Sequence, residues 1–548
     1  MATSCSQARL DEVEHLGVTE VDKTYAEAND MTAQQLIANV YVTAKYLMMG
    51  DWGVHYIATT SAKTAECWPG GSGPNDGPEY HRMSAMIDDS ENNAYKEMYT
   101  RLDKLNDGSA ERKRVIAEGK AWRAWAMMRL TQLWGSAPLV DHVLDGINYS
   151  FYPGNSNPED NWKWIMTQFD EAAAVLPSKS GLGGQKAIGG RWTAEACYAY
   201  KGQGYMWQND YANAKVELAK VINSGKYELW DKTATMGPSS YGTNMQLAKS
   251  QNENWSDGSE EYEYLTLYRA EADFCDEFLL ELDIDGDMTT ITSTEPYWFR
   301  AYMNWRKDEV NLPGNTTTAS DGWGFINPTR TFGYAFAKHD GNSVRRRAAI
   351  ATYSEVYHDF PYLNKDVRGV MSSMLFENEG YFRMKYYDYV DDVVPERFAS
   401  GQTNGNRTNF PLMRYADVLL LYAEAVCMSG EGTANISGLE ALNKVRRRAG
   451  LTDAPALDMD NAEYGIKAER RFELWLEDCS RYVDLIRWGD YKKFITDTSI
   501  DGVSEHWGNE CAWLVGLKDA TKRTTDPTDW SNYEVRYDPL STRGTWSD

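Results

Sequence analysis

The sequence predicts a mainly α protein: a scaffold of helical hairpins carrying a loop-rich, irregular α/β middle lobe. Three observations lead there. The stretches Trp192–Trp207 and Tyr211–Ile222 each space their apolar residues for a helix and flank a short Gln208-Asn209-Asp210 turn. Arg414–Met428 and Gly438–Ala449 repeat the arrangement near the C-terminus. Between them, from Tyr227 to Pro411, helical periodicity fades, and Gly, Asn, Thr, Ser and aromatic residues accumulate. The chain thus divides into a helical part (1–230), a loop-rich lobe (231–410) and a second helical part (411–548).

In chain order, Leu36, Val40, Val42, Ala44 and Leu47 allow an opening helix within Thr32–Met49. A Gly/Pro/Asn-rich loop follows at about 67–81, CWPGGSGPNDGPEYH. Arg114–Trp134 reads as a long helix with Val115, Ala121, Trp122, Trp125, Met128, Leu130 and Leu133 inward, stopped by Gly135 and Pro138. Another runs from about Asn161 to Leu176 and is closed by Pro177. In the hairpin at 192–222, Ala196, Ala199, Gly202, Ala212, Ala214 and Ala219 permit close helix approach, the packing logic of tetratricopeptide repeats. Phe278–Ile284 reads as a short strand.

The densest signal is ERRFELWLEDCSRYVDLIRWGD, Glu469 to Asp490. Phe472, Leu474, Trp475, Tyr482, Leu485, Ile486 and Trp488 recur at helical spacing among eight charged residues, from Arg470 and Arg471 to Asp484 and Arg487. A helix pair this apolar must hold several of those charges beside the core, and an unpaired buried charge is costly. The charges are therefore expected to pair with one another and lock helices together, with Arg414, Asp417, Glu424, Arg446 and Arg448 in the same ladder.

Composition excludes several functions. A chain of 548 residues exceeds the ~250–300 at which single cores stop growing. No apolar run approaches the roughly 20 residues that span a bilayer. A net charge of −25 argues against nucleic acid, which needs a positive surface, and favours a neutral over a polyanionic ligand. With 35 Tyr and 20 Trp, the chain has material for flat aromatic platforms. Its seven cysteines include no C-x-x-C pair, hence no disulfide framework or zinc pattern; Cys197, Cys427 and Cys479 read as small buried hydrophobes. Asp283-Ile284-Asp285-Gly286-Asp287 resembles part of a calcium loop, but glycine falls at position four and Thr294 at twelve, so the frame fails and a turn is expected. No H-E-x-x-H, G-x-S-x-G or P-loop motif is present, and no local pattern supplies the carboxylate pair of a glycosidase.

The Glu469–Asp490 segment resembles the C-terminal motif of the SusD/RagB family, the outer-membrane glycan-binding lipoproteins. FPLMRYADVLLLYAEAV (Phe410–Val426) and ALNKVRRRAGL (Ala441–Leu451) resemble two further blocks of that family. AEGKAWRAWAMMRLTQLWGSAPLV (Ala117–Val140) resembles its first long helix, and Ala194–Leu229 its tetratricopeptide-like hairpin. The order of the blocks is the family's. Arg345, Arg346 and Arg347, following His339-Asp340, are similar to a D-x-R-R element and are taken as scaffold.

The resemblance implies a non-enzymatic surface protein that captures a polysaccharide or oligosaccharide and acts as a hinged lid on a SusC-like TonB-dependent transporter. Ala2-Thr3-Ser4-Cys5 resembles the tail of a lipobox, which implies lipidation at Cys5 and an outer-membrane anchor; the hydrophobic signal segment that such a tail follows is absent from this chain. Family members place stacking aromatics in the loop after the first helix and in the middle lobe. By region, that assigns Trp68, Trp298 and Trp323 to the glycan. Tyr297 and Trp305 are further loop aromatics, and Asn75, Asp76 and Arg300 are polar companions for the hydroxyls. No cofactor is expected, although the family leaves calcium open. Two other classes stay in play: a glycoside hydrolase on a helical scaffold, and a tetratricopeptide-type adaptor binding peptide in a groove.

Overall fold

The computed structural model describes residues 109–141, 154–179, 190–230, 272–283, 324–352, 381–386 and 409–496 almost without gaps. It also describes strands at 510–517 and 533–539, Leu267, Tyr268, Ser531 and scattered residues between 34 and 71. The chain is mainly helical, as the sequence predicts. Helix α1 (Ala110–Trp134) starts where the Ser109 side chain accepts from the Arg112 N–H at 3.1 Å. It ends at Gly135, whose φ of +71° suits a residue without Cβ. Helix α2 (Pro158–Ala173) has Asn157 as its N-cap and Pro158 in its first turn, where a missing N–H costs nothing. It ends before the predicted Pro177.

The predicted hairpin is present as α3 (Ala194–Trp207), capped by Thr193, and α4 (Tyr211–Ser224), capped by Asp210. Its small residues matter at atomic scale. A Cβ on Gly202 would lie 2.7 Å from Leu218 Cγ, so the glycine is what lets α3 and α4 close up.

Among the described residues, eight strands form four two-stranded antiparallel ribbons. They pair β1 (Cys67–Gly70) with β3 (Phe325–Pro328), β2 (Phe278–Leu282) with β6 (Phe410–Arg414), β4 (Ile350–Thr352) with β5 (Tyr381–Arg383), and β7 (Glu510–Leu517) with β8 (Tyr533–Pro539). The β2–β6 ribbon hands the chain directly to α7 (Tyr415–Ser429), buried on all sides over Tyr415–Ala425, which packs on α4 and on α8 (Gly438–Arg448). The signature segment forms α9 (Ile466–Glu473) and α10 (Ser480–Arg487), followed by α11 (Tyr491–Thr496). The turn between α9 and α10 sets Leu476 and Asp478 at positive φ. One hydrophobic core runs through residues from all three parts of the chain.

Several expectations need correction. Arg414 closes a strand rather than opening a helix, because β6 pairs up to its register with Phe278. The predicted strand from Phe278 stops at Leu282, not Ile284. Among the described residues of the middle lobe are two helices that fading periodicity hid, α5 (Arg330–Asp340) and α6 (Val344–Ala349). Leu133 and Cys427 are half-buried rather than buried, and Cys479 lies outside the described residues. In the opening stretch, Gln34, Ile37, Ala38, Val40, Tyr41 and Ala44 are helical, as expected.

A matched pair of substitutions separates packing from helix propensity. Gly202→Ala forces Leu218 aside and is expected to destabilise by about 1–3 kcal/mol. In α1 a Cβ on Gly119 meets nothing within 4 Å. Gly119→Ala is therefore expected to stabilise by about 0.5–1 kcal/mol. Urea unfolding of both variants checks the opposite signs.

Candidate functional site

The β1–β3 ribbon brings together the roots of the two predicted binding loops. Cys67, Trp68 and Gly70 oppose Pro328, Asn327 and Phe325, and the Gly71 N–H donates to the Gly324 carbonyl at 3.0 Å. The loop continuing from Gly71 toward Asn75 and Asp76 therefore leaves the ribbon beside Gly324, the residue that follows Trp323. Close approach dictates the sequence here: a Cβ on Gly70, whose φ is +76°, would collide with the Gly324 carbonyl. Ile326 sits at φ +56°, a strained conformation for a β-branched residue that persists only where its surroundings enforce it. Arg383 contributes to that by donating to the carbonyls of Phe325 and Ile326 at 3.3 and 3.4 Å.

The signature segment holds this ribbon in place. Glu66, just ahead of β1, is buried, and its Oε1 accepts from Arg471 Nε at 2.7 Å and Arg481 Nε at 2.8 Å. Its backbone carbonyl accepts from the Thr329 N–H at 2.9 Å, extending the ribbon. Thr329 then caps α5 through its side chain. Helix α5 lays Phe332 against Trp475 (ring centroids 4.9 Å apart) and Phe336 against Phe472 (4.7 Å). Arg471 also lies over the rings of Phe332 and Phe494, 5.5 and 5.1 Å from their centroids. Burial lowers the Arg481 guanidinium to about 10 against the opposing pull of Glu66, still charged at neutral pH.

Behind the ribbon lies a buried ion-pair network. Arg414 donates to Glu477 at 2.6 and 2.8 Å, to Glu473 at 3.2 Å and to Glu277. Arg448 bridges Glu277 at 2.7 Å and Glu473 at 2.5 Å. Arg345 holds Asp340 through two bonds of 2.8 Å and Glu469 through another of 2.8 Å, and Arg446 also reaches Glu469. Lys385 pairs with Glu477 and donates to the Trp475 carbonyl at 2.8 Å. Arg345, Lys385, Arg414, Arg446 and Arg448 thus face Glu277, Asp340, Glu469, Glu473 and Glu477, five charges against five. A second chain runs outward from α9: Arg470 to Asp417 (2.6 Å) and Asp484 (2.8 Å), then Arg487 to Asp484 and to Glu424 (2.7 Å). Arg129 of α1 reaches the signature turn at Asp478.

These groups are tuned as a structural network would tune them. Burial pushes Glu473 up, but Arg448, Arg414, Arg345 and Lys385 overcome it and hold the carboxyl down to about 2. Burial likewise works against Glu477, Asp484 and Asp340, and their cationic partners bring all three below the usual range. Asp478 goes the other way: burial outweighs Arg129 and raises it to about 6. The ladder is thus a lock between helices, as its sequence suggests, and Arg345 and Arg346 are buried parts of the same scaffold.

One predicted site residue is corrected. Trp68 is 0% exposed, set in β1 with Asn327 opposite, so its ring has no face to offer a ligand. It is a wedge in the base of the ribbon. Asn75, Asp76, Tyr297, Trp298, Arg300, Trp305, Trp323 and Cys5 lie outside the described residues, as does 284–294 of the failed calcium loop. Among the described residues, no group of three or more His, Cys, Asp or Glu could hold a metal, and no helix is long and apolar enough to cross a membrane. Sequence reasoning missed Glu66 and Arg383. The only signal for Glu66 was an acid directly preceding an apolar pair at the start of a Gly/Pro-rich loop.

A helical scaffold that holds a loop-bearing ribbon on a charged C-terminal lock is the SusD-like class of fold. Residues 353–542 match the model of the SusD family. Solved structures support the fold across most of the chain. A laminarin-binding SusD-like protein is similar at a TM-score of 0.62 and 20% identity, covering 86% of this chain and 93% of that one. Surface glycan-binding protein A from Bacteroides thetaiotaomicron, in complex with laminarihexaose, gives 0.63 and 19%, with 86% and 93% covered. A SusD-like protein from Bacteroides fragilis NCTC 9343 gives 0.64 and 17%, with 95% and 93% covered. No curated protein matches the chain by sequence.

The sign of the acid response follows from Glu473. Its folded-state value lies below its unfolded one, so its stabilisation is present above about pH 4.5 and is lost as pH falls from 4.5 toward 2, on the order of 3 kcal/mol in all. Glu477, Asp484 and Asp340 act in the same direction; Asp478 opposes them between about pH 6 and 4. Glu473→Gln leaves Arg414 and Arg448 short of one carboxylate. It is expected to cost about 3–5 kcal/mol at pH 7 and to flatten the loss between pH 4.5 and 2, read from urea midpoints across pH.

Proposed function

We propose that this protein is a non-catalytic, cell-surface glycan-binding protein. It captures a neutral polysaccharide or oligosaccharide in the loops rooted on the β1–β3 ribbon and delivers it to a SusC-like TonB-dependent transporter. The observation that carries the reading is the Gly71–Gly324 hydrogen bond, which joins the roots of the two candidate loops at one end of a buried, strained ribbon. Binding residues belong on irregular segments held by a rigid frame, and this frame is held by paired charges and stacked rings. The laminarin-binding and surface glycan-binding proteins of similar fold support the same reading.

In this scheme Trp298 and Trp323, with Tyr297 and Trp305, lay their π faces against the C–H faces of sugar rings, while Asn75, Asp76 and Arg300 bond the hydroxyls. Stacking contributes affinity without demanding charge, which suits an acidic protein with a neutral ligand. The transporter barrel is the partner, the chain acts as its hinged lid, and Cys5 is the lipid attachment point on the outer membrane. No metal or cofactor has a role in the scheme, and the glycan is released chemically unchanged.

Affinity electrophoresis against a panel of neutral polysaccharides tests this. The protein is expected to be retarded by at least one polymer, with Trp298→Ala and Trp323→Ala each weakening retardation about tenfold or more while the thermal midpoint stays put. Trp68→Ala is expected to show the reverse signature, a loss of about 3–5 kcal/mol of stability. Release of reducing ends from any bound polymer, scaling with protein concentration, would instead establish a hydrolase. Retardation unaffected by both loop variants would remove the ribbon loops from the binding role.

A further inference from the structure

A second concave site lies on the scaffold and shares no element with the ribbon. It is a cleft of about 630 Å³ between the chain leaving α4, the residues just ahead of β2, the start of α7 and the C-terminal half of α8. Small-molecule sites occupy roughly 300–1,000 Å³. Its base is rigid. The Glu228 N–H donates to the Asp276 carbonyl at 3.2 Å, the Trp230 N–H to Glu277 Oε2 at 2.7 Å, and the Tyr415 N–H to the Glu277 carbonyl at 2.7 Å. Glu277 is itself held by Arg414 and Arg448 of the ion-pair network. Tyr227 and Tyr415 stack with centroids 6.3 Å apart and an interplanar angle of 28°.

The chemistry of the walls selects a ligand class. Lys444, Arg447 and Arg448 are matched by Glu228, Asp276 and Glu277, so the cleft favours neither an anion nor a cation. Lys444 is exposed and holds no hydrogen bond or ion pair among the described residues. The Tyr415 hydroxyl makes no hydrogen bond among them either. Arg447 is half-exposed and held toward the rim by Glu440 at 2.5 Å and Asp453 at 3.0 Å. Charged donors and acceptors of both signs, with only the edges of the largely buried Tyr227, Trp230 and Tyr415 rings between them, suit a ligand that is uncharged and rich in hydroxyls, each able to donate and accept.

We propose that this cleft is a second carbohydrate-binding site, which holds a neutral oligosaccharide independently of the ribbon loops. The ligand class is argued from the cleft's own residues, and the site would let one chain engage a polymer at two points. Two contacts in place of one raise avidity without any new interaction at the first.

Isothermal titration of the full chain with laminarihexaose and with the hexasaccharides of α-1,4-glucan, β-1,4-mannan and β-2,1-fructan tests the proposal. Its central variant is Tyr415→Phe with Lys444→Ala, which removes one hydroxyl and one exposed ammonium and leaves the rings and the ion-pair network in place. An unchanged thermal midpoint confirms that the variant is folded. The expected result is two binding events per chain, with the weaker or stronger one reduced roughly tenfold in this variant and persisting in Trp323→Ala. Single-site binding abolished by Trp323→Ala and untouched in the cleft variant would overturn the second site and leave the ribbon reading standing. Absence of binding to every hexasaccharide by the unmodified chain would count against both. Preferential uptake of charged over neutral sugars at the cleft would overturn its assigned ligand class.

Discussion

The structure turns on Arg414 and the carboxylates around it. Its guanidinium is 1% exposed and reaches Glu277, Glu473 and Glu477, residues from the start of β2, the end of α9 and the signature turn. Removing so many charges from water is expensive, and mutual attraction repays that only when geometry is good and every partner is present. Here five cations meet five carboxylates. Such a network adds little net stability over a well-packed apolar core, but it tolerates few alternative arrangements, because any shift of one helix leaves a charge buried alone. The helices of the C-terminal part and the strands of the middle lobe are therefore fixed to one another by charge, and the aromatic contacts of Phe332, Phe336, Phe472 and Trp475 fill the space between.

From that core the order spreads outward in two directions. Toward the ribbon, Arg471 and Arg481 converge on Glu66, and Arg383 clamps the strained β3 backbone. Toward the other helices, Arg470, Arg487 and Arg129 tie α7, α3 and α1 to the signature. This densely charged segment is thus a structural one. It sets where the ribbon lies, and through Arg414 and Arg448, which link Glu473 to Glu277, it supports the base of the cleft beside α8.

Much of the fold was legible because its signals are local. Apolar spacing located the helices and Gly135 announced the end of α1, whereas the caps Ser109, Asn157 and Thr193 put the starts of α1, α2 and α3 two to four residues from where spacing alone sets them. The α3–α4 hairpin was readable from its small residues, and the ladder from the implausibility of isolated charges on so apolar a helix pair. What failed was non-local. Arg414 reads as the first residue of a helix until β2 arrives from far along the chain to pair with it. Helix α5 hid behind Gly333 and its own shortness, although Phe332, Ala335 and Phe336 share one face and Thr329 supplies a cap. Trp68 looked like a platform because its loop is rich in glycine and proline; only pairing with β3 buries it. Nothing local distinguishes a tryptophan that wedges a ribbon from one that faces a ligand. The cleft beside α8 was likewise beyond sequence reading, since Tyr227, Asp276, Tyr415 and Lys444 meet only in the folded chain.

The proposed function rests on the signature lock holding the ribbon from which the candidate loops leave. Hydrogen exchange of Glu66→Gln compared with the unmodified chain tests it most directly, because the substitution keeps the side chain's size and removes the charge that Arg471 and Arg481 share. Faster exchange is expected at the ribbon amides, Gly71 and Thr329 among them, with the α3–α4 hairpin still protected. Unchanged protection across 66–71 and 324–329 would contradict it, and would mean that the ribbon holds its shape without the lock.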